Sequence, residues 1–316
     1  MSPDPPPDGP PSPSLGFATT SGTSWEARAV ELLRQAEAYG SGIRLVDLAR
    51  AMPEDAPRDP EVLAAWVGQH LQEMAVSDAV VYPASWEDGP ARVRELEERS
   101  DRYVLAAQDQ FLSSLGRERE WLRSVAVTGS AAYGGARAGD DCDLLVVTRR
   151  GVVWTFLLLA FLRGRRRRGG DREDLAWCLN LVLDERSAPV EFRAPRGFHV
   201  AREALTARVV LGPDYYAELL QGATWMREQL PRLYAERQSP GPSAISPTGR
   251  SSWLARMIDP FVCLGLGAYL VTVGLVRDHR LRRAGRTEKS FRTRVGLGHL
   301  AYESREFETL ARHYGS

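Results

Sequence analysis

Residues 124–148 read Ser-Val-Ala-Val-Thr-Gly-Ser-Ala-Ala-Tyr-Gly-Gly-Ala-Arg-Ala-Gly-Asp-Asp-Cys-Asp-Leu-Leu-Val-Val-Thr, and no other stretch restricts the fold as much. An apolar strand, a small-residue turn, a Gly-rich loop and a second apolar strand follow one another without room for anything else. Side chains two apart on a strand share a face, so Asp141 and Asp143 project together while Cys142 and Leu144 point away. Magnesium takes oxygen ligands and uses only one or two protein carboxylates, leaving its other positions to water and substrate phosphates. The pair therefore suits Mg²⁺ or Mn²⁺. Gly129 and Ser130 carry little bulk, so their backbone N–H groups can approach a phosphate closely.

This order resembles the nucleotidyltransferase superfamily that includes DNA polymerase beta. Its pattern is an apolar residue, Gly, then Gly or Ser, a spacer of about ten residues, and Asp-x-Asp or Asp-x-Glu on the next strand. The likeness covers residues 124–148. It implies transfer of a nucleoside monophosphate from an NTP to a hydroxyl acceptor, whether a small molecule, a protein or a nucleic acid. Asp141 and Asp143 would hold the metal, and Gly129, Ser130, Gly134, Gly135 and Arg137 would contact the nucleotide.

The next apolar strand, 175–183, is where the family commonly carries a third carboxylate, and here the pattern is Leu179-Asn180-Leu181. Asparagine offers one oxygen and no charge. Asp184 is the first candidate substitute and Glu191 the second. Two further readings follow: a catalytically silent module that binds nucleotide or a partner, and a DNA-binding regulator built on the N-terminal part.

The remaining chain organises around this core. Residues 1–24 are rich in Pro, Ser, Gly and Thr and are expected to be a disordered tail. Helical spacing at 25–39, 45–49 and 60–74, then a strand at 79–82, suggests a winged-helix-like unit over 25–90. Its third helix carries Glu61, Gln69, His70 and Glu73 without Arg or Lys, which argues against a DNA groove as partner. In order, a winged-helix-like unit, a charged helix or helix pair over 91–123 and the catalytic strand pair resemble a group of poorly characterised bacterial nucleotidyltransferase-domain proteins. The nucleotidyltransferase-like domain is assigned to 91–237, a Pro, Gly and Ser linker to 238–252, and a helical extension to 253–316.

Two apolar segments precede arginine clusters. Residues 151–162 are twelve uncharged residues, too few for a bilayer crossing of about 20, so a buried helix is expected before the run at Arg163–Arg168. Residues 261–276 are uncharged for 16 positions. A helix buried against the core is expected there, with peripheral membrane contact through 261–286 as the alternative. Helices are expected over 199–233 and an amphipathic one over 291–314, and His199 reads as structural or exposed.

Formal charge is zero, with 41 basic and 41 acidic residues, so no basic field advertises nucleic acid. Three separated cysteines in apolar segments favour a reduced, cytoplasmic chain over a disulfide or zinc framework. The expected fold class is α/β: a small mixed sheet between a helical N-terminal unit and a helical C-terminal extension.

Overall fold

A computed structural model describes residues 24–167, 176–238, 252–285 and 291–304. Residues 1–23 of the tail assigned to 1–24, most of the linker, Arg168 and residues 305–316 lie outside them, whereas Ser24 belongs to the first helix as its cap. The fold is mixed α/β, with two sheets among the described residues.

The N-terminal unit begins with the helix Trp25–Ala38, capped by Ser24 accepting from the Ala27 N–H at 3.3 Å. Strand β1 (Ile43–Arg44) and the helices Leu45–Arg50 and Pro60–His70 follow, then β2 (Met74–Ser77) and β3 (Val80–Pro83). The antiparallel order is β1-β3-β2. Asp59 caps the third helix by accepting from the Glu61 N–H at 2.9 Å, ahead of a proline at its first position. That helix stops at His70 and does not reach Met74, because residues 74–77 pair with β3. Asp78 and Ala79 close this hairpin, both with positive φ. A turn normally written Asn-Gly is here Asp-Ala, which hides the hairpin from sequence.

Of the two alternatives for the charged segment, one helix or a pair, the structure has a broken run. The helix Gly89–Ala106 passes through a π turn, Ala107–Phe111, into the short helix Leu112–Ser114 and a 3₁₀ stretch, Gly116–Trp121. The main sheet then comprises β4 (Leu122–Val127), β5 (Cys142–Thr148), β6 (Trp177–Asp184), β7 (Arg208–Leu211), β8 (Phe291–Gly296) and β9 (His299–Ser304). Their order is β7-β4-β5-β6-β9-β8, antiparallel throughout except for β5 beside β6. The helix Val153–Arg167 makes the crossover that a parallel pair requires.

Alternation divides the sheet between two cores. Ala126, Leu145, Val147 and Leu183 face the N-terminal unit and the helices of 187–237. Val125, Val127, Leu144, Val146 and Val182 face Phe111, Leu115, Trp154 and Phe156. The N-terminal unit shares the first of these cores. Arg202 donates to Gln35 at 2.7 Å, and Arg232 donates to the carbonyls of Ala49 and Pro57.

The structure corrects three expectations. Residues 199–233 include β7 between the helices Phe198–Thr206 and Pro213–Gly222. The C-terminal part is not a purely helical extension: residues 291–304 form the β8–β9 hairpin, and β9 pairs with β6 to complete the main sheet. The apolar stretch at 261–276 is not buried. It belongs to one 31-residue helix, Trp253–Arg283, whose most apolar window has mean hydropathy 1.7 and is 11% buried. By length and composition this helix is capable of crossing a membrane. A single stripe of it, including Ala255, Asp259 and Gly267, meets the domain.

Two glycines test the backbone. Gly212 ends β7 at φ +64, and a Cβ there would overlap the Arg123 carbonyl, so Gly212→Ala is expected to cost more than about 2 kcal/mol. Gly68 sits in an open helical position, where alanine should add about 0.5–1 kcal/mol. Urea unfolding of both variants measures the contrast.

Candidate functional site

Strand β4 ends at Val127, and Thr128 is still extended when Gly129 turns at φ +64 into the single helical turn Gly129–Ala132. The Thr128 N–H donates to the Asp143 carbonyl at 2.9 Å, tying the turn to β5. A Cβ at Gly129 would overlap the Asp143 carboxylate. Glycine is therefore needed twice, for the left-handed φ and for the approach of the carboxylate to the backbone.

The loop between the strands is organised by Asp140, which the sequence pattern does not single out. Its carboxylate accepts from the Arg137 N–H at 2.9 Å and the Ser130 hydroxyl at 3.3 Å. The Tyr103 hydroxyl donates to the Arg137 and Asp140 carbonyls, both at 3.2 Å. Gly135 donates to the Ser130 carbonyl at 2.8 Å and passes close to Ser41 of the N-terminal unit, while Gly134 passes Glu97. Arg137 lies over Gly40.

Asp141 and Asp143 line one cavity of about 1300 Å³, together with Gly129, Ser130, Gly135 and Arg137. Cys142 and Leu144, on the other face of β5, are fully buried. Asn180 lines the same cavity. It hydrogen-bonds the Asp143 carboxylate, and its Oδ1 accepts from the Cys178 thiol at 2.9 Å, which leaves its amide N–H as the donor to Asp143. Asn180 thus favours the charged form of Asp143.

The two proposed substitutes for a third carboxylate are engaged elsewhere. Asp184 pairs with Thr148 at the opposite end of β5 and β6 from Asp143. Its buried carboxylate accepts from the Arg186 and Ser187 N–H groups at 3.2 and 2.8 Å, starting the helix Ser187–Arg193. Glu191 reaches the cavity but is ion-paired with Arg196 and with Arg294, the latter at 3.2 Å.

The other carboxylate of this cavity whose charge acts most on Asp143 is Glu203, on the helix Phe198–Thr206. It lines the cavity and hydrogen-bonds Thr128. In sequence it is half of an Arg-Glu dipeptide on a helix, and such pairs ordinarily mark a solvated face. Burial raises the Glu203 carboxyl despite the Thr128 bond. The Asp143 carboxyl is pushed up to about 7, first by burial and then by the charge of Glu203, with Asp141 and Asp140 adding to it and the Asn180 bond opposing it. His199, also on the cavity wall, is pushed down to about 4 by burial beside Arg202 and Arg28. Its imidazole is neutral at pH 7, so its 3.4 Å approach to Glu31 is not an ion pair.

A buried carboxyl whose pKa is raised by neighbouring carboxylates marks a site for positive charge. Among the described residues, no group of three or more His, Cys, Asp or Glu side chains is arranged to hold a metal ion unaided. The donor set fits a hard cation that completes its shell with water and substrate oxygens, as magnesium does.

Because Asp143 binds its proton more tightly folded than unfolded, its contribution to stability is largest at acid pH. It falls as pH rises from the unfolded carboxylate range, about 4, through about 7. In EDTA, Asp143→Asn should flatten this slope and stabilise the protein at pH 8 by on the order of 1–3 kcal/mol. Urea midpoints from pH 5 to 8 provide the measurement. An unchanged slope would mean that Asp143 is not the titrating group.

No protein-family model matches the chain, and no curated protein or solved structure is found that matches it.

Proposed function

We propose that this chain is a metal-dependent nucleotidyltransferase that transfers a nucleoside monophosphate from an NTP to a hydroxyl acceptor. One observation carries the reading: Gly129 has no Cβ, so the Asp143 carboxylate lies directly against the turn whose backbone would receive phosphate oxygens. The β4–turn–β5 order and the shared cavity support it. So does the order of the N-terminal unit, three helices with the antiparallel sheet β1-β3-β2, which is that expected of a winged helix.

Asp141 and Asp143 would hold Mg²⁺ or Mn²⁺, which when bound supplies positive charge to the triphosphate. Gly129 and Ser130 would orient the β- and γ-phosphates through the N–H groups of the turn. In the step, the acceptor oxygen bonds to the α-phosphorus. The bond from that phosphorus to the oxygen bridging to the β-phosphate breaks, and pyrophosphate leaves with the electron pair. Glu203 is the carboxylate best situated to receive the hydroxyl proton, directly or through water, and Asn180 fixes Asp143 by hydrogen bonding. Most of the catalysis is positioning and charge neutralisation.

A silent NTP-binding module is the second reading, favoured by Asn180 standing where the family commonly carries a carboxylate. DNA binding by the N-terminal unit draws less support. Its third helix has no Arg or Lys, and Trp66 packs against Trp25 and stacks on His70.

Incubation with labelled NTPs, Mg²⁺ or Mn²⁺ and cell extract should release pyrophosphate and label an acceptor. Asp143→Ala should abolish both this and metal-dependent ATP binding. Glu203→Gln should lower turnover roughly 100-fold or more while ATP still binds. ATP binding without turnover in the wild type, rescued by Asn180→Asp, would select the silent module. Equal ATP affinity in Asp143→Ala and wild type, read by calorimetry, would remove both readings.

A further inference from the structure

The 31-residue helix Trp253–Arg283 has two faces of opposite character. One is fastened to the domain. Asp259 Oδ1 accepts from the Thr155 N–H at 2.7 Å, and the Ala255 carbonyl accepts from the Thr155 hydroxyl at 3.1 Å. Gly267 meets Trp154 and Val295, and Gly274 meets Thr293. The other face is open and apolar: Leu254, Met257, Phe261, Leu264, Leu275 and Val276 are each more than half exposed or nearly so. Leu254, Met257, Phe261 and Leu264 are spaced by threes and fours, and Leu275 follows eleven residues, about three turns, later, so the apolar stripe continues toward exposed Arg280 and Arg283.

We propose that this stripe seats the protein on an anionic membrane surface, with the helix lying in the plane of the interface. Length and hydropathy would also permit a crossing, but the fastened face decides against it. A spanning helix would draw the Asp259 carboxylate and the attached domain surface into hydrocarbon, where polar groups lose their water. An in-plane helix buries the open stripe and leaves those contacts intact. Trp253, 75% exposed, and Tyr269 suit the headgroup boundary, where an aromatic ring has one apolar and one wet side.

Charge separates lipid from a second copy of the chain. The helix has only two acidic residues: Asp259 is buried, and Asp278 pairs with Arg282 at 2.7 Å. A second copy laid on this stripe would offer its arginines no acidic partner from the helix. Anionic headgroups supply that partner. The cavity that contains Asp143 is walled in part by Leu270, Val273 and Arg277 of the same helix, so docking would also set the cavity close to the membrane.

Vesicle flotation of the full chain tests the proposal. Wild type is expected to float with phosphatidylcholine vesicles containing phosphatidylglycerol, less with phosphatidylcholine alone, and less again at high salt. Phe261→Glu with Leu264→Glu should lower partitioning roughly a hundredfold. Both side chains are 75% exposed, so the circular dichroism melt should not change. Arg280→Gln with Arg283→Gln should remove the preference for anionic vesicles and keep the binding to neutral ones. Three results would overturn the proposal: no flotation with either vesicle; a dimer in light scattering that the double Glu variant dissociates, without vesicle binding; or wild type that stays in membranes through alkaline carbonate, the behaviour of a spanning helix. Each readout is independent of NTP turnover.

Discussion

The contact between Gly129 and Asp143 governs the rest of the site. β4 and β5 pair up to Val127 and Leu144, and the Thr128 N–H then bonds the Asp143 carbonyl across the end of the ladder. With no Cβ at Gly129, the chain turns there and the carboxylate occupies the vacated space. A side chain at this position would push Asp143 away from the turn, and with it from Asn180 and Glu203. Backbone geometry and acid chemistry are thus one constraint.

Around that contact the molecule collects negative charge at one end of a cavity and balances it elsewhere. The charges of Glu203 and Asp141 act on Asp143 at the turn, whereas Glu191 is neutralised by Arg196 and Arg294. A buried carboxylate without a counter-charge costs stability, so the first cluster is poised for a proton or a cation and the second is not. Holding such a cluster requires rigid surroundings. They come from the sheet, the helix Phe198–Thr206, and Ala38 and Tyr39 of the N-terminal unit, all on the cavity wall. The hairpin β8–β9 adds Thr293, Arg294 and Tyr302, which joins the C-terminal part to the site.

The long C-terminal helix extends the same division of labour outward. Its fastened stripe contributes to the cavity, and its open stripe exposes Phe261 and Leu264 to whatever lies outside. Glycines at 267 and 274 let the helix approach Trp154 and Thr293 closely, which is why an apolar helix can be held firmly while most of its surface stays exposed.

Residues 124–148 determine by themselves that two strands flank a tight turn and a carboxylate pair, because small residues, strict apolar runs and a two-residue spacing leave few other conformations. The helices Trp25–Ala38 and Pro60–His70 were likewise legible from their periodicity, though the second was expected to run to Met74. Hairpins were not: β2–β3 turns on Asp-Ala, and β8–β9, despite the alternation Phe291-Arg-Thr-Arg-Val295, was expected as part of a helix. Only tertiary structure decided which acid meets Asp143. Glu203 is sixty residues away in sequence and looks like an ordinary surface charge, whereas Asp184, at the predicted strand, is engaged by the Arg186 and Ser187 N–H groups. Only tertiary structure, too, left the 253–283 helix open. Local sequence reports period and hydropathy, but long-range proximity and the identity of a packing partner depend on how the layers close.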